Sequence, residues 1–134
     1  MSSTVKTILL IEPDCDLQRA IREILETFDY RVLVASNGRQ AMESCSSHAH
    51  LIDGLVVAAV LPDRTGVELV DSLRALSRHV PALLLATFGD DETREQRVAS
   101  GDVDLLRVPF AVETFRCKVQ QMLKRPLDRR TAGE

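Results

Sequence analysis

The chain lacks an excess of charge of either sign. Its 17 basic and 20 acidic residues leave a net charge of −3, spread along all 134 residues. That argues against the basic footprint of a nucleic-acid binder and the cationic patch that seeks an anionic membrane. Long apolar runs are missing too. None approaches the about 18 residues of a membrane span, and residues 1–6 have no signal-peptide layout, so a cytoplasmic protein is expected. Cysteine and histidine are scarce and scattered. Cys15, Cys45 and Cys117, with His48, His50 and His79, match neither a metal knuckle nor a Cys-x-x-Cys redox pair, so neither a metal nor a cofactor is expected. Cys45 and Cys117 lie on or beside helical apolar stripes and read as small buried hydrophobes. No internal repeat or low-complexity tract is present.

What the sequence does have is one stretch around which the rest is arranged. Leu55 to Val60 is an uninterrupted apolar run, rich in valine, that stops abruptly at Leu61-Pro62-Asp63. Such a run fits a strand buried on both faces, with a tight exit loop after it. Thr65 and Glu68 then form a capping box ahead of Val67, Leu69, Val70, Leu73 and Leu76, so a helix follows directly. In open parallel sheets the working crevice lies beyond the carboxyl ends of the strands, which makes 58–65 the candidate site.

The same strand-then-helix unit recurs. Thr7–Ile11 is an apolar strand, and after Glu12-Pro13-Asp14 the stripe Leu17, Ala20, Ile21, Ile24, Leu25 and Phe28 has helical spacing. Strand 31–35, a turn or cap at Ser36-Asn37-Gly38 and a weaker helix with Ala41, Met42 and Cys45 come next. After the central unit stand strand 82–86, a helix at about 91–100 with little to bury, strand 103–108, and a last helix marked by Val112, Phe115, Val119, Met122 and Leu123 that Pro126 ends. Five βα units predict one α/β domain over 5–125, a parallel sheet with helices on both faces, and a polar tail at 126–134. Strands 7–11, 55–60 and 82–86 are wholly apolar and therefore central. Strands 31–35 and 103–108 carry Arg31, Asp104 and Arg107 and suit the edges.

This layout resembles the receiver domain of bacterial two-component response regulators. The matching features are Ile8-Leu9-Leu10-Ile11-Glu12, Asn37-Gly38, Leu61-Pro62-Asp63-x-x-Gly66, Gly101, and Pro109-Phe110. The resemblance implies a flavodoxin-like sheet of order 2-1-3-4-5 with five helices, and a cis peptide at Val108-Pro109. It also implies a magnesium-binding acidic pair at Glu12 and Pro13, a phosphoacceptor at Ala58, a hydroxyl at Ala86, a lysine at Val108 and an aromatic switch at Leu105. Only Glu12 carries the chemistry the family needs. An acyl phosphate requires a carboxylate nucleophile, and phosphoryl transfer requires cations. Alanine and valine supply neither.

The resulting expectation is a stand-alone pseudo-receiver, not an enzyme, that meets a protein partner or a second copy of itself without being phosphorylated. Receivers commonly use the face of the fourth helix, fifth strand and fifth helix, which points to Arg94, Arg97, Arg107, Arg116 and Lys118 as charged contacts. Two alternatives stand beside it. One is a phosphorylatable receiver whose acids Glu12, Asp14 and Asp63 hold a divalent cation. The other is a sensor of a small ligand in the apolar space of Ala58, Ala86 and Val108. Asp53 precedes the central strand and is expected at the opposite edge of the sheet.

Overall fold

The computed structural model describes residues 5–48, 51–76, 80–86 and 103–124. The chain runs β1 (Thr7–Ile11), α1 (Cys15–Thr27), β2 (Arg31–Ala35), α2 (Gly38–His48), β3 (Gly54–Ala58), α3 (Gly66–Leu76), β4 (Ala82–Ala86), β5 (Asp104–Arg107) and α4 (Val112–Lys124). The helix expected at about 91–100 and the tail at 126–134 lie outside the described residues, so α4 is the fifth of the five expected helices. All strands are parallel, in the order β2-β1-β3-β4-β5. β1, β3 and β4 are buried along their whole length, whereas the edge strands β2 and β5 are partly exposed.

Alternation along each strand divides the core into two layers, because successive side chains point to opposite faces. Leu9, Ile11, Leu55, Val57 and Leu84 face α2 and α3, where Ala41, Cys45, Leu69, Val70 and Leu73 cover them. Ile8, Leu10, Val56, Leu83 and Leu85 face α1 and α4, meeting Ile21, Leu25, Phe115, Val119 and Met122. Each fully buried Leu, Ile or Phe contributes about 1.5–3 kcal/mol, so these two layers supply the main drive for folding. Phe110, Phe115, Phe28 and Tyr30 extend the second layer, with Phe110 stacked on Phe115 at 4.8 Å between ring centroids.

Several sequence expectations are corrected. The central strand ends at Ala58. Val60 leaves the sheet to form a short antiparallel bridge with Thr65, and is 68% exposed. Ala20, read as part of the α1 stripe, is exposed, and so are Cys117 and Val112 on α4. The buried stripes are narrower than the apolar spacing, because a helix crossing a sheet buries only its innermost positions. Val108-Pro109 is cis, as the resemblance implies.

The helix ends are closed by local chemistry. Asp14 caps α1, its Oδ1 accepting from the amides of Asp16 at 2.9 Å and Leu17 at 3.2 Å. The capping box is formed at α3, with Thr65 N–H donating to Glu68 at 3.0 Å and Glu68 N–H donating to Thr65 Oγ1 at 3.1 Å. At the end of α1 the Tyr30 amide donates to the Leu25 carbonyl and the Asp29 amide to that of Glu26, a Schellman arrangement. Asp29 itself takes φ 71° there, where glycine is the unstrained residue.

Candidate functional site

The register of the sheet builds the site. Ile11 pairs with Val57, Ala58 with Leu85 and Ala86 with Arg107, and the Val108 amide donates to the Ala86 carbonyl at 2.7 Å. Glu12, Ala58, Ala86 and Val108 therefore stand at the carboxyl ends of four neighbouring strands. Ala58 is 7% exposed and Ala86 1%, so methyl groups line the middle of the edge. Ala58 belongs to the α2–α3 layer, whereas Val108 packs against the α1–α4 layer. Leu105 pairs with Leu84 and packs, half-buried, on the α2–α3 side.

Glu12 is the buried carboxyl of the edge, at 5% exposure. Its Oε2 accepts from the Asp14 amide at 3.1 Å, and its own N–H donates to Ala35. Burial pushes its pKa up; the Asp14 amide opposes this, and the nearby Asp14 charge adds to it. Gln18, which the sequence reading passed over, ties the corner together. Its side-chain amide donates to the Glu12 and Ala35 carbonyls at 2.9 and 3.3 Å.

Asp63 does something the sequence did not announce. Its carboxylate crosses from the β3–α3 loop to the start of α2, accepting from the amides of Gly38 at 2.9 Å and Arg39 at 3.0 Å. Those two bonds, the Gly38 one foremost, hold its pKa below the usual value, with the Arg64 guanidinium 3.7 Å away assisting. Separated by 25 positions from Gly38, this contact has no local sequence signal. Asp53 lies at the opposite edge, as expected, where it accepts from the Thr7 amide at 2.8 Å.

Magnesium wants near-octahedral oxygen ligands and a carboxylate or two free to provide them. Glu12, Asp14 and Asp63 are each bonded to different backbone amides, Pro13 has no ligating side chain, and Ala58 offers a methyl group. Among the described residues no three His, Cys, Asp or Glu side chains converge. These residues do not fit the cation.

Of the expected partner face, Arg94 and Arg97 lie outside the described residues, as does the whole span 91–100 expected to be helical. Arg107 is exposed on β5 and Lys118 is half-buried on α4. Arg116 is engaged within the chain: its guanidinium lies over the Phe28 ring at 5.5 Å from the centroid and 3.9 Å from Glu113. No described helix is long and apolar enough to cross a membrane.

Comparison with known proteins agrees with this geometry. The response regulator RppA of Synechocystis is 29% identical over 118 residues, covering 88% of this chain and 50% of that protein. The transcriptional regulatory protein CpxR of Escherichia coli K12 is 27% identical over 118 residues, with 88% and 49% covered. The chain thus spans about half the length of these relatives. Among solved structures, a response regulator receiver domain protein from Clostridium thermocellum superposes with a TM-score of 0.83 at 19% identity, covering 90% of this chain and 96% of that one. The chemotaxis protein CheY4 of Vibrio cholerae gives 0.79 at 24% identity, covering 90% and 100%. The family described as the response regulator receiver domain matches residues 8–120. With the five-stranded order and the strand-end site already in place, the chain belongs to the receiver domain family of two-component response regulators.

Proposed function

We propose that this receiver is a pseudo-receiver, acting through phosphorylation-independent contact with a signalling protein or with a second copy of itself. Ala58 carries the reading. It occupies the carboxyl end of β3, the position that corresponds to the family's phosphoacceptor, and a methyl group cannot form an acyl phosphate. The neighbouring positions support it, since Pro13, Ala86 and Val108 supply neither a metal ligand, a hydroxyl nor a lysine. Their replacement is mutually consistent: a lysine held at position 108 without a carboxylate opposite would be a partly buried unpaired charge. The face around β5 and α4, with Arg107 and Lys118, is the contact surface in this proposal. The phosphorylatable alternative loses support because Glu12, Asp14 and Asp63 are each bonded to separate amides.

The test is a proton–nitrogen NMR titration of the protein with magnesium and acetyl phosphate, then with candidate signalling proteins. Unmoved resonances around Ala58 with the phosphodonor, and shifts confined to β5 and α4 with a protein, are the expected result. Saturable shifts at Glu12 and Ala58 with the phosphodonor overturn the proposal.

A further inference from the structure

The β3–α3 loop is closed on itself. Ala59 accepts from the Gly66 amide at 2.8 Å, Arg64 from the Leu61 amide at 3.0 Å, and Val60 bridges Thr65. A segment closed in this way moves as one body, and its position depends on what holds it from outside. One end is rooted at Gly66, where an added Cβ would strike the Ala58 carbonyl oxygen. The tip is held by Asp63 on α2.

The start of α2 is divided between two acceptors. The Ala41 amide makes the first helical bond to the Asn37 carbonyl, and the Gln40 amide is taken by Asn37 Oδ1 at 2.8 Å. That leaves the Gly38 and Arg39 amides, and both go to Asp63. A helix otherwise capped from its own sequence is here completed from a loop 25 positions away. Arg64 follows Asp63 across the same gap: a Cβ on Gly38 would lie 2.6 Å from Arg64 Nε and 3.1 Å from Asp63 Oδ1. Glycine at position 38 gives the loop room to approach.

We infer that the Asp63 carboxylate is a latch: it binds the β3–α3 loop and the first turn of α2 into one unit that opens and closes together, with no ligand required. The latch sets one wall of the strand-end crevice, so a partner of this receiver meets a preformed surface whose shape does not wait on phosphate or metal. This goes beyond the absence of a phosphoacceptor, and it holds or fails independently of it.

Amide hydrogen exchange of the full chain by NMR tests the latch, comparing wild type with Asp63→Ala and Asp63→Asn. In Asp63→Ala the Gly38 and Arg39 amides lose their acceptor. The latch requires the Leu61 and Gly66 amides, which do not touch Asp63, to speed up with them by at least about fivefold. The Leu9 and Val56 amides within the sheet stay at wild-type rates. Asp63→Asn, which keeps an acceptor oxygen without its charge, gives a smaller acceleration at the same four positions. Acceleration at Gly38 and Arg39 with Leu61 and Gly66 unchanged in both variants overturns the proposal and leaves Asp63 as a helix cap alone.

Discussion

The middle of the strand-end edge and its flank treat polarity in opposite ways. In the middle, Ala58 and Ala86 present methyl groups, and the buried carboxyl there among the described residues is that of Glu12, whose pKa burial raises. On the flank, Asp63 is exposed and its pKa is lowered, because two backbone amides and a guanidinium meet it. A carboxylate in the middle is costly because the one amide bond Glu12 accepts from Asp14 only partly offsets its lost hydration. One on the flank is stabilised by the amides it satisfies. The middle is thus part of the core, while the polar residues at the rim hold backbone in place.

The largest expected effect probes how tightly the middle is packed. Gly66→Ala places a Cβ against the Ala58 carbonyl oxygen and 3.2 Å from Ala59 Cα, backbone atoms that cannot step aside. A loss of about 3 kcal/mol in urea denaturation is expected. On the flank, Gly38→Ala meets mainly the flexible end of Arg64, and a loss below about 1 kcal/mol is expected. Equal losses at the two glycines would break the contrast.

Ala58→Asp comes next. The new carboxylate would stand at the buried end of β3, where Pro13, Ala86 and Val108 at the neighbouring strand ends offer no cation or hydroxyl to compensate it. Destabilisation by about 2 kcal/mol is expected, without labelling by radioactive acetyl phosphate. Robust labelling at undiminished stability would mean that the edge is still built for phosphate.

The two native carboxyls should respond to pH with opposite signs. Glu12 has a raised folded pKa, so the folded state binds its proton more tightly than the unfolded one. Its burial penalises the fold at neutral pH, and the penalty fades as pH falls toward the ordinary glutamate value of 4.5. Glu12→Gln is therefore expected to be more stable than wild type at pH 7, with the difference shrinking as pH falls through the raised folded value toward 4.5. Asp63 has a depressed pKa. Its contribution is present above the ordinary value of 3.8 and is lost as pH falls through its lower folded value. Stability curves of Glu12→Gln and Asp63→Asn measured against wild type from pH 3 to 7, a range that is about the span of both groups, should diverge in these two directions. Parallel curves would remove the distinction.

The smallest effect lies away from the edge. Asp29→Gly relieves a φ of 71° at the C-terminus of α1 without touching the site. A gain of about 0.5–1 kcal/mol is expected in thermal or chemical denaturation. A loss would mean that the Asp29 side chain contributes more than its backbone strain costs.

Much of this was legible before any coordinates. The apolar runs at 7–11 and 82–86 marked central strands because a parallel strand covered on both faces needs apolar residues at every position. The capping box at Thr65 and Glu68 was readable because its partners lie three positions apart. Ala20, Cys117 and Val112 were misplaced because periodicity locates a helical stripe but not how wide a strip the sheet covers. Val60 was misread for a related reason. An apolar run shows where burial is possible, and the turn to Thr65 decides where the strand stops.

The sequence by itself determined the order of strands and helices, which strands are central, and the apolar character of Ala58 and Ala86. These are properties of residue type and short spacing. Only the tertiary structure decided that Glu12, Ala58, Ala86 and Val108 share one edge, that Ala58 and Val108 face different core layers, and that Asp63 closes the first turn of α2. The physical reason is separation along the chain. Contacts between residues three or four apart follow from local geometry, whereas a carboxylate reaching amides 25 positions away depends on how right-handed crossovers set loop against helix.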